Sequence, residues 1–409
     1  MLRWMHKVRL YPRPAQERAL GHALHLTRNL YNAALDQRRY EYRAHGRSIS
    51  AKMQYAELTA LRAESLGDAG IYRELQDAVL HRLDVSMRAF FRRCKSGETP
   101  GFPRFKNDAR WNQLEFPHGD RAVKLDDHQA KVRIPGVGMV RLRKGRIVPL
   151  NYGRVFLTRK NERWYAVFEC KREVAPLAPT GKTLGIDAGI TALLATSDGE
   201  LIENPRHCAR NRANVERASV ALDAVTIKDA RGHCLNRHDA RRQAKVRALA
   251  RSKEREANAR RDFLHKLSGQ LVRENDGIAM EALKLKNMTR SAKGTINEPG
   301  NNVAAKSGLN RAMLDTGFGI LRQMIIEKAE WAARMIAVVD PKYTSQTCFV
   351  CKHRATKNRE GTRFVCVACG HRDHADVNAA RNILAKAELR PQSGLSSGAT
   401  TRLTQYDAA

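Results

Sequence analysis

Apolar and polar residues follow two different periods in the first part of the chain. A short strand is predicted at 6–11, and the helical period that follows is clearest from Leu75 to Arg93. From 112 to 175, apolar and polar residues alternate in short runs between turn residues, as they do in β-strands. These patterns predict a small basic β-barrel (1–14 and 112–176) that carries a helical insertion (15–111).

From 183 the pattern changes to that of an α/β domain. Three short strands are predicted at 183–187, 192–196 and 200–203, and a buried strand at 277–280 follows a long basic helical region. A three-strand meander with an acid on its first strand is typical of the start of an RNase H-like domain. We therefore predict an RNase H-like (RuvC-type) nuclease domain over 181–342 and 373–390.

The later segments are less regular. A helix is predicted from Leu321 to Ile336, and a last helix from Asp376 to Leu389. Residues 289–317 are rich in Gly, Asn, Ser and Lys without a clear period, so a long loop is expected there. Residues 391–409 have the composition of a disordered tail.

The charge of the chain narrows its possible partners. Lys and Arg number 74 against 42 Asp and Glu, which leaves a net charge of +32. Such a field attracts polyanions, so nucleic acid is the expected partner. A membrane surface is the competing explanation, but the basic residues run through the whole chain instead of forming one cluster. Charges interrupt any N-terminal apolar region, so we expect an intracellular, cytoplasmic protein without a membrane partner.

Half of the eight cysteines lie close together in two C-x2-C pairs. The pairs are Cys348 with Cys351 and Cys366 with Cys369. Each pair can supply two thiolates to one side of a tetrahedral zinc ion, and the segment between them has almost no apolar residues to form a core. Free cysteines or a redox pair are the alternatives. The spacing favours one structural Zn²⁺ in a zinc ribbon over 343–372.

Three acids lie where the fold could bring them together. Asp187 ends the first strand, Glu281 ends the buried strand, and Asp376 opens the last helix. Converging carboxylates at apolar strand ends repel one another and lose solvation, and two Mg²⁺ ions would relieve both effects and support phosphodiester hydrolysis. Read alone, each acid could be solvated or a helix cap, and Asp373 is a rival to Asp376.

Several motifs together resemble those of the TnpB family, transposon-encoded relatives of the type V CRISPR effector nucleases. The motifs cover nearly the whole chain and are RLYP (9–12), GFPRFK (101–106), GIDAGI (185–190), RRDFLHKLSGQLV (260–272), IAMEALKLKNM (278–288), YTSQTCFVC (343–351), CVACG (366–370) and DHADVNAARNI (373–383). By this matching, Asp187, Glu281 and Asp376 correspond to the family's catalytic acids. Asp376 is preferred to Asp373 because it lies in the D-x-N-A-A segment.

The resemblance implies RNA-guided, Mg²⁺-dependent cleavage of double-stranded DNA. It implies a guide RNA derived from the transposon end, one RNA on a monomer, and a prokaryotic, nucleoid-associated protein. The barrel would be a wedge domain and the helical insertion a recognition domain, which together read a short motif beside the target. The zinc ribbon would bind target nucleic acid.

Basic residues in two segments are candidates for nucleic-acid contact. They are Arg104, Lys106, Arg241, Arg242, Lys245, Arg260 and Arg261. A solvated helix face is the ordinary interpretation of such a charge run, but the excess here is one-sided, which favours phosphate contact.

Three other functions would each share part of this sequence pattern. A catalytically silent RNA-guided repressor would have lost an acid, whereas all three are present. A DDE transposase would order its acids Asp, Asp, Glu, whereas the order here is Asp, Glu, Asp. A transposase accessory DNA-binding protein could use the zinc ribbon but would need neither the meander nor the acids.

Overall fold

Residues 2–64, 71–295, 298–387 and 389 are described by a computed structural model. The chain divides into two units, Met1–Arg172 and Glu173–Ala409. The predicted disordered tail lies outside the described residues. None of the helices in the described ranges is both long and apolar enough to cross a membrane.

Seven strands of the first unit pair into one antiparallel sheet. They are β1 (Leu2–Tyr11), β2 (Gln113–Phe116), β3 (Lys124–Leu125), β4 (Lys131–Ile134), β5 (Gly138–Leu142), β6 (Tyr152–Lys160) and β7 (Arg163–Arg172). Their order is β2-β6-β7-β1-β5-β4-β3. Within the described residues β2 and β3 each pair with one neighbour. The predicted barrel strands are therefore present, but their hydrogen-bonded ladder runs as an open sheet and not as a closed ring.

The helices of the first unit pack around the same core. They are α1 (Pro14–His45), α2 (Ala51–Glu64), α3 (Arg73–Lys95) and the single turn α4 (Gly119–Ala122). The predicted helix Leu75–Arg93 lies within α3. Tyr31 of α1 and Leu83 of α3 are fully buried with Trp111, whose indole N–H donates to the Thr27 hydroxyl at 2.9 Å.

The second unit is built on a five-stranded mixed sheet. Its strands are β8 (Thr183–Ala188), β9 (Ala192–Thr196), β10 (Leu201–Glu203), β11 (Gly277–Glu281) and β12 (Met335–Val339), in the order β10-β9-β8-β11-β12. The first three form an antiparallel meander, and β11 runs parallel to both β8 and β12. This arrangement is that of an RNase H-like sheet.

Helices cover both faces of this sheet. The described helices of this unit are α5 (His207–Asp223), α6 (Ala240–Glu274), α7 (Leu285–Met288), α8 (Val303–Thr316), α9 (Phe318–Ala332) and α10 (Ala375–Ala387), and α6, α9 and α10 pack on the sheet. Leu184, Ile186 and Met280 pack against α6 and α9. The side chain of Ala279 lies on the opposite face of the sheet and packs with Ile383 of α10. Alternate residues of β8 and β11 therefore face α10.

Two predicted elements differ from the structure. The helix predicted to reach Ile336 ends at Ala332, where Ala333 has a left-handed φ of 52°, and residues 335–339 form strand β12. A short, wholly apolar run fits a buried strand as well as a helix. The long loop expected over 289–317 contains helix α8, whose residues lack a buried apolar stripe and so gave no periodic signal.

Residues 343–374, the cysteine-rich segment, form a small separate sheet. Its strands are β13 (Arg359–Glu360), β14 (Arg363–Val365) and β15 (Arg372–His374), paired antiparallel in sequence order. Phe364 is fully buried with Cys348, Cys366 and Ala375, which is the first residue of α10. The cysteine-rich segment is thus packed onto the start of that helix.

Gly185 sets how closely α10 approaches β8. A Cβ at this position would lie 2.2 Å from the Ala380 carbonyl oxygen and 2.8 Å from Leu384 Cβ, closer than atoms can pack.

We predict that Gly185→Ala forces α10 outward and destabilises the unit by about 1–3 kcal/mol, measured by chemical denaturation. The matched control is Gly308→Ala in α8, where a Cβ would meet nothing within 4 Å. That substitution should stabilise the unit by about 0.5–1 kcal/mol, since alanine favours helices. Equal stability of the two variants would contradict the close-approach account.

Candidate active site and metal-binding cysteines

The register of two parallel strands brings Asp187 and Glu281 together. Ile186 of β8 pairs with Met280 of β11, so the next residue of each strand lies at the same level of the sheet. Because Ile186 and Met280 pack toward α6 and α9, the alternation along each strand turns Asp187 and Glu281 toward α10. Glu281 is 7% exposed.

Asp376 reaches the same place from the first turn of α10. A Cβ on Gly189, two residues after Asp187, would lie 3.8 Å from Asp376 Oδ2. That Cβ would also lie 2.7 Å from the Ala192 carbonyl oxygen, so only glycine fits this tight turn beside the acids. All three predicted acids therefore meet at one edge of the sheet.

Burial and mutual repulsion change the acidity of this group. The pKa of Asp187 is raised to about 8, first because the carboxyl is desolvated and then because Glu281 and Asp376 repel its charge. The Arg359 guanidinium and the Ala188 backbone N–H offset part of this rise. Burial likewise raises the pKa of Glu281. The Asp187 carboxyl therefore holds a proton at neutral pH unless a positive charge comes close.

Two residues of the site were not predicted. Arg359 of β13 donates from Nη2 to Asp376 Oδ1 at 2.9 Å, and the Thr344 hydroxyl donates to Glu281 Oε1 at 2.6 Å. Both lie in the cysteine-rich segment, where Arg359 is 17 residues before Asp376 and Thr344 is 63 residues after Glu281. An arginine among several others and a lone threonine give no pattern that a sequence could reveal, and only the tertiary contacts identify them.

Asp373, the rival to Asp376, has a different environment. Its carboxylate accepts from Arg381 Nη1 at 2.6 Å and from its own neighbouring backbone N–H at His374. Asp373 is thus paired with Arg381, whereas Asp376 raises the pKa of Asp187 by charge repulsion.

The four predicted zinc ligands converge. Their sulfur atoms all lie within 4.8 Å of one another, with 3.8 Å between the Sγ atoms of Cys348 and Cys369 and 3.5 Å between those of Cys351 and Cys366. Ligands about 2.3 Å from a tetrahedral zinc lie about 3.8 Å apart, so the cluster has the size of a zinc site and is too wide for disulfides.

Both cysteine turns repeat one backbone pattern. The Cys348 N–H donates to the His353 carbonyl at 2.9 Å, and the Cys366 N–H donates to the His371 carbonyl, also at 2.9 Å. In each turn the fifth residue, Lys352 or Gly370, is left-handed and donates back to the first cysteine's carbonyl. The two turns therefore present their thiol pairs in the same backbone geometry.

A second cluster of metal-type ligands, among the described residues, joins Cys208, Glu256 and Asp315. Arg260 already lies in it, with Nη1 3.0 Å from Asp315 Oδ1. The three predicted catalytic carboxylates do not form so tight a group.

The predicted nucleic-acid contacts fall into two groups. In the first group the side chains are exposed: Arg104, Arg241, Lys245 and Arg261. Lys106 and Arg242 are half-buried. Arg260 is half-buried, and its Nη1 lies 3.0 Å from Asp315 Oδ1, so its charge is paired within the unit.

Three family models match the chain. "Probable transposase" matches residues 166–292, and "Cas12f1-like, TNB domain" matches 318–383. "Helix-turn-helix domain" matches residues 1–47, which here form β1 followed by the single long helix α1.

The chain is similar over most of its length to two bacterial proteins. It is 34% identical to "Putative RNA-guided DNA endonuclease InsQ" of Escherichia coli (strain K12), over 75% of this chain and 72% of that protein. It is 30% identical to "Putative RNA-guided DNA endonuclease" of Streptomyces pristinaespiralis, over 93% of this chain and 88% of that protein.

A solved structure has the same fold. The mini-RNA-guided endonuclease CRISPR-Cas_phi3 aligns with a TM-score of 0.50 at 11% identity, covering 96% of this chain and 94% of that one. At this identity the likeness concerns the fold alone. The two relatives, whose lengths the chain largely spans, show the family: the protein belongs to the TnpB family of transposon-encoded RNA-guided endonucleases.

Proposed function

We propose that this protein is a transposon-encoded, RNA-guided DNA endonuclease whose catalytic acids are Asp187, Glu281 and Asp376. The observation that carries the proposal is the meeting of these three carboxylates at one buried edge of an RNase H-like sheet. Both relatives described above are named RNA-guided DNA endonucleases. A silent repressor of the same architecture would have no need to retain three mutually repelling acids.

The donor set suits Mg²⁺. Carboxylate oxygens are the ligands that this hard cation prefers, and a cation would relieve the desolvation and the repulsion that raise the pKa of Asp187. Two Mg²⁺ ions held by Asp187, Glu281 and Asp376 would supply Lewis acidity and an activated water.

The chain itself prepares the site in two ways. The Thr344 hydroxyl holds one oxygen of Glu281 and so orients the carboxylate. Arg359 brings a guanidinium to Asp376, and a guanidinium there is suited to an anionic phosphate. Both residues come from the cysteine-rich segment, so this segment contributes to the active site as well as to the fold.

Nucleic-acid binding follows from charge. The net charge of +32 exceeds what a nuclease site requires, and the exposed residues Arg104, Arg241, Lys245 and Arg261 fit phosphate contact. We propose that a guide RNA from the transposon end binds one copy of the chain and pairs with double-stranded target DNA. The first unit would act as wedge and recognition domains that read the target-adjacent motif. The protein would then work in the cytoplasm, at the nucleoid.

Single substitutions of the acids test the site. We predict that Asp187→Ala, Glu281→Gln and Asp376→Asn each lower guided cleavage by roughly two orders of magnitude or more while DNA binding is retained. Cleavage would be measured on target and scrambled DNA with the RNA-loaded protein. The matched control is Asp373→Asn, whose effect should be much milder because Asp373 pairs with Arg381. Cleavage by Asp187→Ala above roughly a tenth of wild type, or loss caused by Asp373→Asn alone, would refute the assignment.

Proton competition should make metal binding depend on pH. Because Asp187 is protonated below about pH 8, binding must displace this proton. We predict that the Mg²⁺ affinity, measured by titration calorimetry, rises with pH by up to about tenfold per unit and levels off above the pKa. An affinity independent of pH would contradict the raised pKa.

The raised pKa of Asp187 also predicts that the stability of the metal-free protein depends on pH. The folded chain keeps the Asp187 proton to about pH 8, whereas the unfolded chain releases it near pH 4. The folded state therefore binds more protons in that window, and stability falls as pH rises through it. Asp187→Asn should remove this fall, and Asp198→Asn, at an exposed turn, should not. Thermal unfolding in metal-free buffer at several pH values measures both.

We propose that Cys348, Cys351, Cys366 and Cys369 hold one structural Zn²⁺. Elemental measurement of the purified protein should give about one zinc per chain, and Cys366→Ser should lower it. Cys170→Ser is the control, because Cys170 does not belong to the four-cysteine cluster. Unchanged zinc content in Cys366→Ser would refute the site. If the ion supports the active site as argued, chelation should also weaken cleavage.

A further inference from the structure

A cavity in the second unit adjoins the tight turn beside the proposed catalytic acids. It has a volume of about 650 Å³, within the roughly 300–1,000 Å³ of ligand pockets, and residues of α5, α6 and α8 line it. Ile190 and Thr191 also line it, and they directly follow Gly189, where a Cβ would lie 3.8 Å from Asp376 Oδ2. One loop therefore borders both the cavity and the acids.

The walls of the cavity suit a flat ring. Apolar or small residues form a large part of the lining: Ile190, Ala209, Val215, Gly308 and Ala312. The faces of a nucleobase can lie against such side chains, as they do when an enzyme takes a base out of its stack. These walls would also fit other apolar ligands, so the charged residues of the lining decide the class of ligand.

Two carboxylates of the lining differ in their partners. Asp315 accepts from the Cys208 backbone N–H and from Arg260 Nη1, so both of its oxygens are used within the fold. Glu256 Oε1 accepts from the Cys208 thiol at 2.7 Å, whereas Glu256 Oε2 has no hydrogen-bond partner among the described residues. Arg260 already supplies positive charge to this cluster, which argues against a metal ion. The unused oxygen suits an N–H donor of an uncharged ring.

Unpaired positive charge lies on the exposed part of the lining. Arg212 pairs with Glu216 at 2.6 Å. Arg206 and Arg311 are exposed and have no ion-pair partner in the described part of the chain. Guanidinium groups bind phosphate well, and the half-buried Glu256 offers an acceptor behind them. This order of charges matches a nucleotide, with its base in the cavity and its phosphates at the surface.

We propose that this cavity takes up one base of the DNA strand that is cut, and that this base carries an exocyclic amino group. The amino group would donate to Glu256 Oε2, as cytosine N4 donates to carboxylates in DNA-binding proteins. Arg206 and Arg311 would contact the adjoining phosphates. The cut strand is favoured over the guide RNA because the loop of Ile190 borders the acids. Thymine lacks an amino group, so Glu256 would give the enzyme a base preference beside its cut. The inference rests on the proposed function and names a specificity-determining residue for it.

Binding of single-stranded DNA tests the base preference. The full-length chain, freed of co-purifying nucleic acid, would be titrated in metal-free buffer with deoxycytidylate and thymidylate hexamers. Their phosphate charges are equal, so the ratio of the two Kd values reports on the base. The wild-type chain should bind the deoxycytidylate hexamer about tenfold more tightly. Glu256→Gln should reduce this preference to less than about threefold, because an amide is a weaker acceptor than a carboxylate. Its oxygen can still accept from the Cys208 thiol.

Added bulk tests whether the base lies in this cavity. At Gly308 of α8 a Cβ would meet nothing within 4 Å, so a leucine fits there without a backbone clash. Gly308→Leu should reduce the preference to less than about threefold, because the new side chain takes up space in the cavity. The matched control is Ser307→Leu, at the neighbouring exposed position outside the lining. It should keep the preference of about tenfold.

Three results would overturn the proposal: a wild-type chain that does not distinguish the hexamers, equal preferences in the two leucine variants, or a full preference in Glu256→Gln. Cytidylate and uridylate RNA hexamers form a second arm. A preference confined to the RNA would assign the base to the guide and contradict binding of the cut strand. Cleavage is not measured, so failure of the proposed nuclease activity would leave these results readable.

Discussion

The desolvation of Asp187 beside two other carboxylates is the constraint on which the nuclease unit depends. Its pKa of about 8 is a measure of the unfavourable energy built into the folded chain. The parallel register of β8 and β11 fixes two of the acids, and α10 brings the third because Gly185 lets its backbone come close. A cation bound here would relieve the repulsion, so we propose that the same packing that desolvates Asp187 favours metal binding.

The cysteine-rich segment is tied to this constraint through α10. Asn378 is fully buried, accepts from the Phe349 N–H at 2.9 Å and donates to the Thr347 carbonyl at 2.8 Å. One turn later, Asn382 donates to the carbonyls of Thr344 and Thr347. These contacts place Thr344 against Glu281. Asn378, the asparagine of the D-x-N-A-A segment, therefore anchors the first cysteine turn to the helix that also carries Asp376.

Much of the fold and of the candidate site could be predicted from the sequence, because the patterns that indicate them lie within short segments. The acids stand at the ends of apolar strands, and the cysteines keep a fixed spacing. What the sequence could not show depends on distant contacts. Strand β12 is as apolar as a buried helix, and α8 has no apolar stripe to reveal it. Arg260 seemed a free cation, yet it neutralises Asp315. Nothing in the order of residues singles out Arg359 as the partner of Asp376.

The central claim is that RNA directs the cut made at these acids, and one assay tests it most directly. The protein would be expressed with its flanking transposon end, purified as a complex and treated with ribonuclease before target DNA is added. The account predicts that sequence-directed cleavage is lost on treatment and returns when the intact RNA is restored. Specific cleavage that survives complete removal of the RNA would contradict guidance by RNA.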